Sequence, residues 1–270
     1  MVGVAPQPGF KAAAVAGELV YAVGDIHGRY DLLIPLLAMI LADSEKAERL
    51  RPARLIFLGD YVDRGPDSAK VIEALVRLQA RSPYDLRFLK GNHEQAMLAF
   101  INDASAGRDW IRFGGGPTLA AYGVAPPALD NRLAVFERAR ETLLIHLPAA
   151  HRDFLERLEV MAEVGDYAFV HAGVRPDRSL AQQIDDDLLW IRDGFIGHPG
   201  PFEKVIVHGH TWIDDQPRLL QHRMGVDTGA YQTGVLTAVR IKDGDVRVLQ
   251  ARGAPADMSG ERALALQSQW

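Results

Sequence analysis

Asp25, His27, Asp60, Asn92, His171 and His210 each stand just beyond a short apolar run. Together they offer carboxylate oxygens, an amide oxygen and imidazole nitrogens. That mixture suits first-row divalent ions such as Mn(II), Fe(II) or Zn(II) better than Ca(II) or Mg(II). The densest stretch is Gly59-Asp60-Tyr61-Val62-Asp63-Arg64-Gly65, two carboxylates and a guanidinium between two glycines. Glycine lets a backbone turn sharply and approach what sits beside it. Charges gathered in such a loop are costly without opposite charge to compensate them. For Asp60 the natural partner is a metal ion, and for Arg64 an anion such as phosphate. Alone, the stretch reads equally well as a polar turn, and a lone histidine after a strand is usually a packing residue. The company of the other loops decides for chemistry.

The elements that must position these residues are legible in the apolar pattern. Leu19–Val23, Leu55–Leu58 and Leu86–Leu89 read as buried strands. They run into Gly24-Asp25-Ile26-His27-Gly28, the Asp60 stretch and Gly91-Asn92-His93-Glu94. A helix capped by Asp31, with Pro35 in its first turn, follows the first loop. A helix from Pro66-Asp67-Ser68 follows the second, and one near Gln95 the third. The first hundred residues thus read β-α-β-α-β, an α/β beginning, and sites in such sheets gather at the carboxyl ends of the strands. Residues 102–128 read as a surface excursion around a short helix at 118–122, and 129–159 as helix broken at Pro148. A hairpin over 160–170 delivers His171-Ala172-Gly173, and a strand over 204–207 delivers His208-Gly209-His210-Thr211. Residues 218–251 read as antiparallel strands with a turn at Lys242-Asp243-Gly244-Asp245. The acidic run Asp185-Asp186-Asp187 reads as a solvated helix start, and His208 as a neighbour of the site or a packing residue rather than a ligand.

Composition narrows the classes. A chain of 270 residues with 48% hydrophobic and 24% charged residues can bury a core unaided. Without cysteine there is no disulfide, thiolate nucleophile or Cys-ligated zinc. The net charge of −5 argues against a nucleic-acid surface. No stretch reads as a signal peptide or a membrane span, so the expectation is a cytoplasmic protein. Residues 1–17 read as a leader, 18–252 as the catalytic domain and 253–270 as a tail.

GDIHG (24–28), GDYVDRG (59–65), GNHE (91–94), HAG (171–173) and GHT (209–211), in this order, resemble the metal-dependent phosphoprotein phosphatases, and within them the bacterial and phage serine/threonine branch. Val226-Asp227-Thr228-Gly229-Ala230 is similar to that branch as well. The resemblance covers roughly 19–240. It implies a metallophosphoesterase fold, two mixed β-sheets packed face to face with helices outside. It also implies two divalent ions, Mn(II) first with Fe(II), Zn(II) or Ni(II) as alternatives. Asp25, His27 and Asp60 match positions that hold one ion, and Asp60, Asn92, His171 and His210 those that hold the other. Two-metal sites clamp an in-line displacement at phosphorus and generate the attacking nucleophile from water, so no serine or cysteine is required. His93 matches a general acid steered by Asp63. Arg64 matches a phosphate-binding arginine, and Arg192, in a shorter motif, a second one.

The resemblance implies a phosphomonoesterase acting on phosphoserine and phosphothreonine, with phosphotyrosine open, in a phosphorylated protein or peptide partner, and a monomer is plausible. A symmetrical diadenosine tetraphosphate hydrolase shares most of the ligands, but it typically carries a small residue at the place of Asp63 and GNHD at the place of GNHE. A catalytically dead phospho-binding protein would need a broken ligand set, and a nuclease a basic stripe. The chain has neither.

Overall fold

The computed structural model describes residues 15, 17–47 and 52–256. Most of the expected leader, and the tail beyond 256, lie outside them. The described chain forms two five-stranded sheets. The first has the order β10-β9-β1-β2-β3, built from β1 (Val20–Val23), β2 (Arg54–Phe57), β3 (Asp85–Phe88), β9 (Val235–Lys242) and β10 (Asp245–Arg252). The second has the order β4-β5-β6-β8-β7, built from β4 (Met161–Val164), β5 (Tyr167–Val170), β6 (Val205–His208), β7 (Arg218–Leu219) and β8 (Arg223–Gly225).

The continuous apolar character of β1 follows from burial on both faces. Successive side chains point to opposite sides of a strand. Val20 and Ala22 therefore join Ile56, Phe169, Val207 and Met224 between the sheets, while Tyr21 and Val23 meet Leu33, Leu36 and the other helix residues on the outer face. Helices α1 (Tyr30–Lys46), α2 (Ser68–Arg81), α3 (Asn92–Asn102), α6 (Leu133–His146) and α7 (Ala149–Glu156) supply that outer layer. On the far side of the second sheet, Val170 and Ile206 pack on Leu188 of α8 (Asp185–Trp190) and Phe195 of α9 (Asp193–Ile196).

β1, β2 and β3 run parallel, as do β5, β6 and β8. The loops that leave their carboxyl ends carry Asp25, Asp60, Asn92, His171, His210 and Asp227 in that order. No described helix is long and apolar enough to cross a membrane.

Several local expectations change. Asp31 does not cap α1, because the cap position is Arg29, and the Asp31 carboxylate receives the Arg29 guanidinium instead. Pro35 sits in the second turn of that helix rather than the first. α3 begins at Asn92, so the ligand loop and the helix start coincide. Residues 104–121 are mostly helical, through α4 (Gly107–Trp110), a wide turn at Ile111–Gly115 kinked at Gly114, and α5 (Gly116–Ala121). The strands of 218–251 divide between the sheets. β8 pairs parallel with β6 and antiparallel with β7, as expected of neighbours in this stretch, while β9–β10 forms the hairpin that turns at Asp243-Gly244. Asp187 is buried and receives Arg175 and Arg178, so the acidic run is solvated only at Asp185 and Asp186.

Candidate metal centre and phosphate cleft

The first loop hangs on the second. The Asp60 carbonyl accepts from the Ile26 and His27 amides at 3.0 and 2.8 Å, and the Tyr61 carbonyl from Gly28 at 2.8 Å. The third loop is tied to the second by Glu94. Its carboxylate accepts from the amides of Asp60 and Gly91 at 2.8 Å each, from Tyr61 at 2.7 Å and from Val62 at 3.2 Å. Glu94 is therefore a brace between loops, a role that its place in the first turn of α3 suggests only weakly. The price of the arrangement is backbone strain. His27, Asp60, Asp63, Arg64 and His210 all have φ between 47° and 73°, and among the described non-glycine residues only Asp243 joins them. Such left-handed residues cost about 1–3 kcal/mol each and persist where surrounding structure enforces them.

The six residues expected to hold ions converge. The Asp60 carboxylate faces two ways. Oδ2 lies 3.5 Å from His27 Nε2, and Oδ1 lies 3.4 Å from His171 Nε2. Asn92 Oδ1 stands 2.9 Å from His171 Nε2 and 3.0 Å from His210 Nδ1. The outer nitrogens fix the imidazoles, since His27 Nδ1 meets the Val62 carbonyl at 3.0 Å and His171 Nδ1 the Leu58 carbonyl at 2.8 Å. Donation to those carbonyls leaves the Nε2 lone pairs aimed inward, as a ligand requires. Asp25 Oδ2 accepts from the His210 amide at 2.9 Å, whereas its buried Oδ1 has no hydrogen-bond partner. A Cβ at position 209 would collide with that Oδ1, so glycine is required there for the carboxylate to reach inward. Two clusters with cation-binding geometry share Asp60: His27–Asp60–His93 and Asp60–His171–His210. The first differs from the expectation by including His93, while Asp25 stands beside both.

Electrostatics favour a cation. Burial pushes the Asp60 carboxyl up to about 8, and burial with the nearby Asp227 and Asp60 charges raises Asp25. Burial pulls His171 down to about 4, and burial followed by neighbouring cationic groups lowers His27 and His210. Crowded carboxylates held in apolar surroundings and imidazoles with free lone pairs are a set that divalent charge would stabilise, because it reverses the cost of ionising the acids. The residues present therefore fit a divalent ion.

Beside this cluster stands a second constellation. His93 Nδ1 lies 2.7 Å from Asp63 Oδ2, which also accepts from Trp110 Nε1 at 2.9 Å, and Thr118 Oγ1 donates to Asp63 Oδ1 at 2.7 Å. His93 Nε2 faces inward, 3.9 Å from Asp60 Oδ2 and 3.2 Å from Arg64 Nη2. Arg64 Nη1 donates to the Tyr231 hydroxyl, and the Arg64 amide to the Gly114 carbonyl at 3.0 Å. Arg192 is exposed, and its Nε contacts His210 Nε2 at 3.0 Å. Trp110, Thr118 and Tyr231 thus join the site although no motif in the sequence marks them. Their partners lie 47, 55 and 167 positions away, beyond the reach of any local pattern. Asp227 accepts from the Gly229 amide at 2.8 Å. His208 is buried against Phe195 and turned away from the cluster, as expected.

Comparisons with known proteins give the family of the chain. An asymmetrical bis(5'-nucleosyl)-tetraphosphatase of Bacillus mycoides is 27% identical over 235 residues, 81% of this chain and 88% of the relative. Serine/threonine-protein phosphatase 2 of Salmonella typhimurium is 28% identical over 232 residues, 83% of this chain and 93% of the relative. A solved structure ascribed to a diadenosine tetraphosphatase shares the fold with a TM-score of 0.58 at 19% identity, covering 94% of this chain and all of that one. The calcineurin-like phosphoesterase family model matches residues 19–234, most of the chain. With its strand-end ligand loops and this match, the chain belongs to the calcineurin-like phosphoesterases.

Proposed function

We propose that this phosphoesterase hydrolyses phosphoserine and phosphothreonine esters in proteins, with two divalent ions, Mn(II) foremost, held by Asp25, His27, Asp60, Asn92, His171 and His210. Ions bound there would supply Lewis-acid charge at phosphorus and lower the pKa of water, so that hydroxide is available to attack. The chain's own residues do the rest. Arg64 and Arg192 offer guanidinium forks to the non-bridging oxygens, where charge grows in the transition state. His93 supplies the proton that the serine or threonine alkoxide needs as it leaves.

Loading that proton is coupled to binding. Burial first, and the Arg64 guanidinium second, hold the His93 imidazole well below its usual range. A phosphate dianion that draws Arg64 onto itself removes the second of these effects and adds negative charge beside Nε2. Both changes raise the affinity of His93 for a proton. Asp63 keeps Nδ1–H engaged throughout, so Nε2 is the atom that takes and gives the proton.

The observation that carries this reading is the buried His93–Asp63 pair with Trp110 and Thr118 behind it. An alkoxide is a poor leaving group and rewards a general acid strongly, whereas a nucleoside polyphosphate leaves more readily and gains less. A second reading, a dinucleoside tetraphosphate hydrolase, is favoured by the names of relatives such as that of Bacillus mycoides. The test is a paired assay on metal-stripped protein reloaded with Mn(II), using a phosphoserine peptide and diadenosine tetraphosphate. Phosphate release from the peptide with little dinucleotide cleavage is the expected result. A silent peptide with efficient cleavage of the dinucleotide would replace the first reading by the second.

A further inference from the structure

Arg29 follows the first ligand loop and is buried, yet nothing in the chemistry above uses it. Its guanidinium is fully engaged. Nε and Nη2 donate to the Asp31 carboxylate at 2.9 and 2.7 Å, Nη1 to the Ala230 carbonyl at 2.6 Å, and Nη2 also to the Ala254 carbonyl at 2.6 Å. One planar fork therefore spans the start of the short helix α10 (Ala230–Thr233) and the segment that follows β10. That segment is stitched to α10 twice more, by Gly253 N to the Gly234 carbonyl at 2.8 Å and by Ala256 N to the Tyr231 carbonyl at 3.0 Å.

Between these ties stands Tyr231. Its hydroxyl accepts from Arg64 Nη1, its ring lies 4.7 Å below the Arg64 guanidinium carbon, and its edge meets His27 at 5.2 Å. Gly114 fixes the backbone of Arg64, so the tip of the side chain is aimed by Tyr231 and by His93. The geometry points to Arg29 as a positioning residue for phosphate binding. It clamps the 253–256 segment onto α10, so that Tyr231 holds the Arg64 guanidinium toward the ligand cluster. A guanidinium is suited to the task because its rigid fork can join several oxygens at once, which an ammonium cannot do with the same geometry. The inference rests on the phosphate-binding role proposed for Arg64.

The test measures inorganic phosphate binding to the manganese-loaded protein by calorimetry, with metal content and melting temperature recorded alongside. Arg29→Lys should weaken phosphate by about tenfold at unchanged metal stoichiometry, an interaction loss of ordinary size for a charged contact. In a Tyr231→Phe background the same substitution should weaken it by less than about twofold, because the two residues act through one path. Restoring Arg29 should restore binding only where Tyr231 is present. If Arg29→Lys does not fold, Asp31→Asn takes its place, since the Asp31 side chain is 53% exposed and its loss merely loosens the fork. Factors that multiply in the double variant, or a lowered melting temperature with wild-type phosphate affinity, would overturn the proposal. Failure of the parent protein to bind phosphate at all would instead overturn the phosphatase reading on which it rests.

Discussion

Asp60 is the residue on which most of the site depends. Its carbonyl carries the first loop, its amide is held by Glu94, and its two carboxylate oxygens face histidines on opposite sides. Asp60→Asn keeps the shape but removes a charge shared by the two clusters proposed to hold cations. Hydrolysis should fall by at least about a thousandfold and bound metal should drop below two equivalents, measured by elemental analysis. Near-normal turnover would end the two-ion assignment. His93 separates binding from proton delivery. His93→Asn should lower kcat by about 10²–10⁴ on phosphoserine, where the leaving group needs a proton, and by much less on p-nitrophenyl phosphate. Equal losses on the two substrates would sink the general-acid role.

At the scale of elements, the stretch from α4 to α5 acts as the scaffold of the His93–Asp63 pair proposed to deliver the proton. It contributes the Trp110 and Thr118 donors to Asp63 and the Gly114 carbonyl to Arg64. Gly114 has φ 108°, and a Cβ there would press on Arg64 Cγ. Gly114→Ala should therefore raise KM with little effect on metal content, a split visible in steady-state kinetics. Thr118→Val removes a donor from a buried carboxylate, and kcat should fall by roughly tenfold on poor leaving groups. These supports show where sequence reading stops. The strand-to-loop units were legible because everything that defines them is local: an apolar run, a turn residue and a ligand within five positions. The scaffold was not, because a glycine-rich stretch with Gly114-Gly115-Gly116 argues against helix and its packing comes from elsewhere in the chain. β8 was missed as a parallel strand for a related reason. Its antiparallel pairing with β7 is local, but its parallel pairing is with β6, outside that local pair of strands.

For the whole molecule, the crowded carboxylates make stability depend on pH and on metal. In the folded, metal-free protein burial raises Asp60 to about 8, and Asp63 and Glu94 to about 7, from ordinary values near 4. The folded state then binds more protons than the unfolded one, so each acid contributes stability at low pH that is lost as pH rises through its folded value. Buried histidines, His171 among them at about 4, oppose this below about 6.5, where the unfolded chain takes up the proton. Above that pH only the acids act. The metal-stripped protein should therefore lose melting temperature steadily between pH 6.5 and 8, whereas manganese-loaded protein should stay level and melt higher, as binding to the native state alone requires. Differential scanning calorimetry at several pH values checks this, and parallel curves for the two forms would contradict the electrostatic account of the cluster.

The first sheet closes only with strands from the far end of the chain. β1 lies between β2 and β9, and β9 begins at Val235, after every strand of the second sheet. A ribosome building this protein therefore exposes the Asp25, Asp60 and Asn92 loops early, but β1 lacks one of its two neighbours until late in synthesis. The nascent chain first carries Asp25, His27, Asp60 and Asn92, four of the six candidate ligands, on an unfinished sheet, and the cluster waits for His171 and His210, which follow strands still to come. All six candidate ligands precede Val235, so a chain stalled there carries the whole set while its first sheet still lacks β9 and β10.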